Sequence, residues 1–375
     1  MKILLVATVQ SHICQFHRPL ARMLHDHGCE VHVAARDNLA EKNGLKLDFA
    51  DRVFNLPFRR SPFSPKNLNA YRELKRILDK ERYNVVHCNT PVGGTLGRMA
   101  ARKTRKQGTK VVYTAHGFHF YKGAPKKNWL LWYPVEKFMC CYTDLLITIA
   151  EEDYELARTK FPTQVEHIHG VGANTGKYRA VSEEECLKLK KELGCENKRL
   201  ALCTGELNAN KNQITAVRAM PEVIRSIPDA KLLLAGNGPA DQELQEEIAR
   251  LGMGPFVKLI GYHTDLERYV QAADLIVSCS RREGMPLNIV EGMLCEKAVV
   301  ATINRGHKEL VEDGVTGYLL PAGDAAAFCE KMISLFGDPE LARKMGEAGR
   351  EKALAYTDQS VYRELEEIYT SLGVL

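Results

Sequence analysis

The chain has 375 residues, of which 45% are hydrophobic and 26% charged, so its composition excludes a disordered or fibrous protein and its length predicts two domains. The apolar run at residues 3–9 is too short to span a bilayer and lacks a following small-residue cleavage site, which favours a first strand over a signal peptide. Residues 1–177 carry an excess of 12 positive charges and the remainder an excess of 7 negative charges. The basic half favours a polyanionic partner, such as a phosphorylated acceptor or an anionic membrane surface, with solvated helix faces as the alternative. No zinc-finger or RNP-type motif occurs, so no nucleic-acid partner is expected.

The eleven cysteines are an odd number and include the adjacent pair Cys140 and Cys141. They form no C-x-x-C pair, and no histidine spacing suits zinc. We therefore predict reduced, mostly buried thiols in a cytoplasmic protein, and no metal site.

Short apolar segments rich in β-branched residues alternate with longer amphipathic ones in the first half, which predicts a parallel sheet covered by helices. Strands are predicted at residues 2–7, 30–34, 84–87, 110–114 and 145–149. Ligands of such sheets bind at the carboxyl ends of the strands, so the segments that follow each strand carry the functional information.

Three of these segments are informative. Residues 8–19 contain no glycine, so the dinucleotide fingerprint is absent. Residues 89–98 form a predicted turn whose glycines permit either close ligand approach or tight packing, and we favour packing. Residues 114–125 contain two histidines, three aromatic residues and a lysine in a loop predicted to be exposed, a combination that suits carbohydrate or an acceptor with an apolar tail.

Residues 98–106 are basic, and residues 122–134 place lysines next to two tryptophans. This pattern is typical of a membrane-interface anchor, and equally of a packed amphipathic helix with exposed lysines. Residues 170–180 are interpreted as an interdomain linker and not as a P-loop, because Lys177 precedes Tyr178 where Ser or Thr is required.

A second alternating series follows, with strands predicted at residues 200–204, 231–235, 257–260, 275–278 and 298–301. Lys211 precedes a helix predicted to start at Gln213, where an ammonium group reaches phosphate oxygens beside free backbone N–H groups. Together the loops after these strands predict a nucleotide pocket. Residues 338–372 are predicted to be helical and to return to the first domain.

Residues 281–302 are predicted to form a loop, a helix and a strand, with Pro286 where the helix begins. Glu283 lies in the loop and Glu291 on the second helical turn, so two carboxylates flank a helix N-terminus that attracts phosphate. The two carboxylates suit hydroxyl groups on either side of a phosphate, as a sugar nucleotide supplies them. The alternative is an ordinary exposed helix start.

The motif Glu283-Gly-Met-Pro-Leu-Asn-Ile-Val-Glu291, followed by Val299-Val-Ala-Thr, resembles the retaining GT-B glycosyltransferases of family 4. The resemblance covers the whole chain. It implies an α/β fold of two Rossmann-like parallel-sheet domains facing across a cleft. Residues 1–175 are expected to bind the acceptor and residues 176–356 the nucleotide sugar, while residues 357–375 form a helix that crosses back onto the first domain.

The resemblance also implies roles for single residues. Glu283 is expected to bind hydroxyls of the transferred sugar, Glu291 the ribose and Lys211 the diphosphate, while His116 faces the reacting sugar; His116, Glu283 and Lys211 form the expected catalytic set. The remaining donor-binding residues implied are Gly205, Glu206, Asn237, Ile260, Gly261, Arg282, Gly284, Met285, Pro286, Leu287 and Asn288. The acceptor-binding residues predicted are Gln10, Ser11, His12, His119, Tyr121 and Lys122.

Two departures from the family pattern affect these expectations. Most members carry an arginine where this chain has Glu206, so the phosphate charge is expected to rest on Lys211, helix dipoles and Arg281 or Arg282. The usual glycine pair in the first loop is also missing, which leaves Gln10, Ser11 and His12 to shape the acceptor site.

The expected activity is a retaining transfer of a hexose or N-acetylhexosamine from a nucleotide sugar, with UDP favoured, to a polyprenyl-diphosphate-linked or other glycan acceptor in surface polysaccharide synthesis. No D-x-D pair occurs, so the reaction is expected to need no metal and no cofactor. The expected location is the cytoplasm, peripherally on the inner face of the cytoplasmic membrane. The alternatives are a nucleotide-sugar epimerase or hydrolase of the same fold and a non-catalytic nucleotide-sugar-binding protein.

Overall fold

The computed structural model describes residues 1–41 and 45–375, and the chain divides into two compact units. Unit 1 comprises Met1–Gly172 and Asp358–Leu375, and unit 2 comprises Ala173–Thr357. The chain therefore leaves unit 1 once and returns to it at its C-terminal end.

Each unit is built from parallel strands connected by helices. The strands, in chain order, are β1 (Lys2–Val9), β2 (Glu30–Arg36), β3 (Arg52–Asn55), β4 (Val85–Asn89), β5 (Lys110–Ala115), β6 (Leu145–Thr148), β7 (Gln164–His167), β8 (Arg199–Thr204), β9 (Ala230–Ala235), β10 (Val257–Gly261), β11 (Leu275–Ser278), β12 (Ala298–Thr302) and β13 (Gly317–Leu320). The helices are α1 (Gln10–Phe16), α2 (Arg18–Asp26), α3 (Lys66–Glu81), α4 (Pro91–Arg105), α5 (Lys126–Met139), α6 (Glu151–Lys160), α7 (Glu183–Glu192), α8 (Ile214–Ser226), α9 (Asp241–Arg250), α10 (Leu266–Ala272), α11 (Leu287–Leu294), α12 (Arg305–Leu310), α13 (Ala325–Gly337), α14 (Pro339–Ala353) and α15 (Asp358–Ser371). Short 3-10 turns lie at Leu39–Glu41, Cys140–Tyr142 and Leu354–Tyr356.

The sheet of unit 1 has seven strands in the order β3-β2-β1-β4-β5-β6-β7, and that of unit 2 has six in the order β10-β9-β8-β11-β12-β13. All their pairings are parallel. The strand order reverses between β1 and β4 in unit 1 and between β8 and β11 in unit 2. Such reversals separate the loops on either side and open a crevice at the carboxyl ends of the strands, where ligands of open α/β sheets bind. The predicted fold of two Rossmann-like parallel-sheet domains is confirmed.

The predicted strands are all present, but three further strands, β3, β7 and β13, were missed by the sequence analysis. All three lie at edges of the sheets. Edge strands keep one side exposed, and β3 and β7 are exposed or only half-buried along their whole length. The continuous apolar run by which buried parallel strands are recognised is therefore absent from β3 and β7.

Two predicted loops are helical in the structure. Strand β1 continues to Val9 and α1 starts at the next residue, so the segment after β1 is not an extended loop. The predicted turn at residues 89–98 is the start of α4, and its glycines serve packing as expected. A Cβ at Gly93 would lie 2.7 Å from the Ala7 carbonyl carbon, and one at Gly97 would lie 2.6 Å from Cys88 Sγ.

The C-terminal helix α15 packs against unit 1. The Tyr369 hydroxyl lies 2.7 Å from His87 Nδ1 on β4, and Glu364 accepts a hydrogen bond of 2.8 Å from the His169 backbone N–H. All eleven cysteines are unpaired and most are buried. Within the described residues, none of the helices has both the length and the apolar character that crossing a bilayer requires.

Candidate functional site

The reversal point of unit 2 brings together two segments that are far apart in sequence. The loop after β8 contains Lys211, and the loop after β11 contains Glu283. The two loops are tied by their backbones, because the Arg281 N–H donates to the Asn210 carbonyl at 2.8 Å. The Asn210 side-chain amide also donates to the Arg282 carbonyl at 3.0 Å. Residues separated by about 70 positions in the chain thus form one surface.

An ion pair lies at the centre of this surface. Lys211 Nζ is 2.6 Å from Glu283 Oε1, and both side chains are mostly buried. The loop before α8 fixes the lysine, since Asn208 Oδ1 accepts hydrogen bonds from the backbone N–H groups of Asn210 and Lys211 at 3.0 and 2.9 Å. This asparagine was not predicted from the sequence, although an Asn three residues before the critical lysine is a common signal of such a turn.

Two glycines allow the backbones around the ion pair to approach closely. Gly236 has φ of 147°, and a Cβ there would lie 2.0 Å from the Gly205 carbonyl oxygen, so any other residue would separate the loops after β8 and β9. A Cβ at Gly306 on α12 would lie 2.5 Å from the Gly284 carbonyl oxygen. Gly306 therefore permits α12 to support the loop that carries Glu283, a role the sequence analysis missed.

The second glutamate of the motif occupies a different environment. Glu291 lies on the second turn of α11 and is only partly exposed. Burial raises the pKa of its carboxyl group to about 8, while a hydrogen bond from the Tyr178 hydroxyl acts in the opposite direction. Burial likewise raises the pKa of Tyr178. Tyr178 was not predicted as a site residue, because it lies in the segment interpreted as a linker.

The start of α11 differs slightly from the prediction. Pro286 is the residue before the helix, with φ of −80° and ψ of 92°, and Leu287 is the first helical residue. The backbone N–H groups of the first turn are therefore supplied by residues from Leu287 onward. Asn288 directs its side-chain amide toward the Thr204 carbonyl at 3.5 Å, which links α11 to the end of β8.

The other predicted donor-site residues lie on the same edge of the sheet. Gly236 N–H donates to the Gly261 carbonyl at 2.8 Å, and Leu207 N–H donates to the Asn237 carbonyl at 3.1 Å, so the loops after β8, β9 and β10 form a continuous rim. Glu206, where the family usually has arginine, is exposed and accepts a hydrogen bond of 3.2 Å from Asn208. The structure also places Gly205, Ile260, Arg282, Gly284 and Met285 at this edge.

Unit 1 has its own reversal point, and it is lined by histidines. His12 lies on α1 after β1, and His116 follows β5; their Nε2 atoms are 3.2 Å apart. Between them, Asn89 Oδ1 at the end of β4 lies 3.4 Å from His116 Nε2. Buried His17 and His87 extend the group, with ring centroids 5.3 Å between His17 and His116 and 6.0 Å between His17 and His87.

These imidazoles are neutral near pH 7. Burial, with a smaller repulsion from neighbouring histidines, lowers the pKa of His12 and His17 well below the usual value. Burial and the proximity of His116 lower the pKa of His87 to about 3, and burial lowers that of His116 to about 4. Although residues 1–177 are strongly basic, these four histidines therefore add no positive charge to this part of unit 1.

A cavity of about 280 Å³ adjoins the histidines. His119 stacks on Trp132 at its wall, with ring centroids 5.1 Å apart. The prediction that the segment after β5 is exposed was wrong for Phe118 and Phe120, which are buried in the core of unit 1. Their rings stack at 4.7 Å and anchor the segment, so that His116 and His119 are held beside the cavity. The cavity is lined by His12, Thr90, Pro91, Tyr113, His116, Gly117, Phe118, His119, Phe120, Trp132 and Glu136.

Not every predicted acceptor residue lies at this cavity. Gln10 and Ser11 are buried on the inner face of α1, and Ser11 exchanges two hydrogen bonds with Asn38, at 3.0 and 2.9 Å. Tyr121 is partly buried and accepts a hydrogen bond of 3.2 Å on its carbonyl from Trp129 Nε1. Lys122 is exposed, and its backbone N–H donates to Glu152 at 2.6 Å.

Arg98, the first residue of the basic segment 98–106, does not contribute to a basic surface. It is 0% exposed, and Nη2 donates to Glu136 Oε2 at 2.8 Å. Its guanidinium group lies over the Tyr113 ring at 3.9 Å. This buried pair joins α4 to α5 and neutralises the carboxylate of Glu136, which lines the cavity.

Comparison with known proteins agrees with this geometry. The family model described as "Glycosyl transferases group 1" matches residues 187–352, and the model described as "Glycosyl transferase 4-like" matches residues 2–150. The chain is 44% identical over 373 residues to EpsD of Bacillus subtilis (strain 168), a glycosyltransferase whose own assignment is provisional, and the match covers 99% of this chain and 96% of EpsD. The chain belongs to the GT-B glycosyltransferases.

Two further comparisons concern one relative in sequence and one neighbour in fold. The chain is 28% identical over 318 residues to a UDP-Gal:alpha-D-GlcNAc-diphosphoundecaprenol alpha-1,3-galactosyltransferase of Escherichia coli, covering 81% of this chain and 80% of that enzyme. The crystal structure of Anabaena Alr3699/HepE in complex with UDP and glucose superposes with a TM-score of 0.80 at 20% identity, covering 100% of both chains. The resemblance stated from the glutamate motif is confirmed, and the protein is a glycosyltransferase.

Proposed function

We propose that this glycosyltransferase transfers a hexose or N-acetylhexosamine from a UDP-sugar to a polyprenyl-diphosphate-linked glycan acceptor during surface polysaccharide synthesis, with retention at the anomeric carbon. The observation that carries the proposal is the Lys211–Glu283 ion pair at the reversal point of unit 2, with Glu291 one helix turn into α11. Binding of a sugar nucleotide requires a cation that contacts the phosphates and acceptor groups that contact the sugar hydroxyls. Lys211 supplies the cation, and the two carboxyl groups supply the acceptors.

The choice of donor and acceptor is supported by the relatives. HepE, which shares the fold, was crystallised with UDP and glucose, and the Escherichia coli relative takes UDP-galactose and a diphosphoundecaprenol-linked sugar. In this chain the cavity of unit 1 presents aromatic faces and neutral imidazoles. Aromatic faces suit the apolar faces of a sugar ring, and neutral ring nitrogens accept or donate hydrogen bonds to its hydroxyls.

In the proposed reaction the bond between the anomeric carbon and the diphosphate oxygen breaks while a bond to the acceptor oxygen forms on the same face. The acceptor proton passes to a diphosphate oxygen of the leaving UDP. Lys211 and the N-terminus of α11 stabilise the negative charge that grows on the diphosphate, which is the largest demand of such a transition state. Glu283 orients the sugar through its hydroxyls, and no metal is required.

The proposal is tested by incubating the purified protein with UDP- and GDP-sugars, with and without a polyprenyl-diphosphate-linked sugar, and measuring nucleotide release. We expect release from a UDP-sugar that depends on the acceptor. Release without an acceptor would favour a nucleotide-sugar hydrolase, and binding without release a non-catalytic protein. Product anomericity by NMR tests retention, and complete loss of turnover in EDTA would contradict a metal-free reaction.

We further propose that unit 1 docks on an anionic membrane surface through α5. The tryptophans of the expected anchor pack inward, since Trp129 and Trp132 lie against the core of unit 1. Leu130 and Leu131, which lie between the two tryptophans, project outward instead and are 77% and 60% exposed. Exposed lysines flank this apolar face on the same helix, at Lys126, Lys127 and Lys137. Apolar side chains bordered by cations favour a bilayer that contains anionic lipids.

Vesicle co-sedimentation tests the membrane surface. The double substitution Leu130→Glu with Leu131→Glu should lower binding to phosphatidylglycerol vesicles by at least about tenfold. It replaces two exposed apolar side chains with carboxylates that the anionic lipids repel. The matched control is Leu187→Glu, an exposed leucine on α7 of unit 2, which should bind as the parent does. Equal loss in both variants, or none in either, would contradict the proposal.

A further inference from the structure

Three histidines from two segments of unit 1 converge although no sequence motif connects them. His12 lies in the first turn of α1, His17 is the residue that follows α1, and His116 follows β5. One ring nitrogen from each residue can be chosen so that all three nitrogens lie within 4.8 Å of one another. We propose that these residues form a binding site for a divalent transition-metal ion, with Zn²⁺ as the best-suited occupant.

The distances fit a tetrahedral site. Zinc binds imidazole nitrogen at about 2.0–2.1 Å, which places two ligands of a tetrahedron about 3.3 Å apart. His12 Nε2 and His116 Nε2 are separated by 3.2 Å, and one ring nitrogen of His17 lies within 4.8 Å of a ring nitrogen of each of the other two histidines. Three histidines with a fourth, open position form a known type of zinc site.

A hydrogen bond between two neutral imidazoles would account for the distance between His12 and His116, but it leaves His17 unexplained. His17 is 4% exposed, and its Nε2 atom has no hydrogen-bond partner among the described residues. A buried polar atom without a partner costs free energy. A metal ion held by the three rings would satisfy all of them.

The chemistry of the surroundings favours a metal over an anion. The three side chains that converge are all imidazoles, whose ring nitrogens are common ligands of transition-metal cations. His87 is not a ligand, since Tyr369 and Thr114 contact its two nitrogens at 2.7 and 2.6 Å. Imidazole ligands without a carboxylate select zinc, copper or nickel over magnesium and calcium.

His12 and His116 line the cavity, which therefore provides an entry path to these two rings. Metal binding would occupy both rings that the proposed function uses beside the acceptor. We therefore expect Zn²⁺ to inhibit transfer reversibly. This consequence rests on the proposed function, whereas binding of the metal does not, so the two are measured separately.

Binding is measured on the untagged full chain after chelator treatment, by calorimetry with Zn²⁺ and by the visible absorption of Co²⁺, which is intense in tetrahedral sites. We expect one ion per chain. His17→Phe, which removes a ligand but fills the same buried space, should weaken Zn²⁺ binding at least about tenfold. Even the mutation of a residue that only hydrogen-bonds to a metal ligand lowers metal affinity by about this factor. His25→Ala, a half-exposed histidine on α2 of the same unit, and Cys141→Ser, the exposed thiol, should bind as the parent does.

Unchanged affinity in His17→Phe would overturn the site. If that variant fails to fold by circular dichroism, His12→Ala on the partly exposed ring decides the question in the same assay. Loss of binding in Cys141→Ser, or a Co²⁺ spectrum of octahedral type, would also overturn it, because the ion would then be adventitious. Turnover that Zn²⁺ leaves unaffected at saturating occupancy would overturn the inhibition but not the site.

Discussion

The side chains at the two points where the strand order reverses differ in charge between unit 1 and unit 2. In unit 2 the central groups are charged and paired, with Lys211 2.6 Å from Glu283. In unit 1 the central groups are histidines whose pKa values burial lowers, so they are neutral. The same topology thus produces a charged site in the half of the chain with excess negative charge and an uncharged one in the basic half.

The net charge of a segment of sequence therefore does not predict which unit has charged side chains at its reversal point. Positive charge of unit 1 lies on its surface, as at Lys126 and Lys127, and the buried guanidinium group of Arg98, near the cavity, is neutralised by Glu136. A paired lysine suits a leaving diphosphate, whose charge grows during the reaction. Neutral rings suit an uncharged acceptor hydroxyl. Four predictions test whether this division holds.

The largest effect is expected at the buried ion pair of unit 1. Glu136→Gln leaves the guanidinium group of Arg98 buried and uncompensated, so the free energy of unfolding should fall by about 3–5 kcal/mol. The double substitution Arg98→Met with Glu136→Leu should recover most of this loss. Urea denaturation measures both. Glu155→Gln, which breaks the exposed pair with Arg158, is the control and should cost no more than about 1 kcal/mol. A loss in Glu136→Gln as small as that of the control would contradict a structural role.

The next effect concerns the charged site of unit 2. Lys211→Ala should lower kcat/KM by about 10²–10³-fold, because it removes the cation nearest to the proposed diphosphate site. Steady-state nucleotide release measures this. Lys344→Ala, an exposed lysine on α14, should change the rate by less than about twofold. Near-full activity of Lys211→Ala would place the diphosphate elsewhere.

Substitutions of the two glutamates of the motif should change different quantities, the turnover rate for Glu283 and the UDP affinity for Glu291. Glu283→Gln should lower kcat by about 10–100-fold with little change in UDP affinity, because the Glu283 carboxylate faces the transferred sugar, not the UDP, in the proposed complex. Glu291→Gln should weaken UDP binding by about tenfold, the loss of one strong hydrogen bond to the ribose, with kcat largely retained. Calorimetry with UDP and saturation kinetics supply the two readouts. Comparable losses of UDP affinity in both variants would remove the distinction.

The smallest effect is the pH dependence of stability from Glu291. Burial raises the pKa of its carboxyl group from 4.5 to about 8, so the folded state keeps a proton that the unfolded state releases. Stability from this group is complete below about pH 4.5 and is lost as the pH rises through about 8. The upper bound is about 4–5 kcal/mol, and partial solvation reduces it. Glu291→Gln should therefore be as stable as the parent at pH 5 and at least about 1 kcal/mol more stable at pH 9.

Denaturation at pH 5, 7 and 9 measures this last effect. The control is Glu243→Gln, an exposed glutamate on α9, for which the difference from the parent should stay constant with pH. A constant difference for Glu291→Gln as well would mean that its carboxyl group is solvated in the folded protein.

Local pattern was sufficient for the buried strands and for the motif that names the family. Continuous apolar runs predicted β1, β8 and β11, because strands covered on both faces have no polar positions. The same rule failed at β3 and β7, whose edge positions leave their side chains exposed or half-buried. The motif from Glu283 to Glu291 was recognisable because loop and helix place both carboxyl groups within nine consecutive residues.

Contacts between distant segments were decided only by the tertiary structure. Tyr178 approaches Glu291 from a segment interpreted as a linker, and Gly306 supports the Glu283 loop by lacking a side chain. The convergence of His12, His17 and His116 depends on the end of α1 meeting the end of β5. The sequence by itself determined which groups are chemically able to act, through their type and local spacing. Only the folded chain decided which of them meet and whether they are charged, because proximity and burial arise from packing between residues far apart in the sequence.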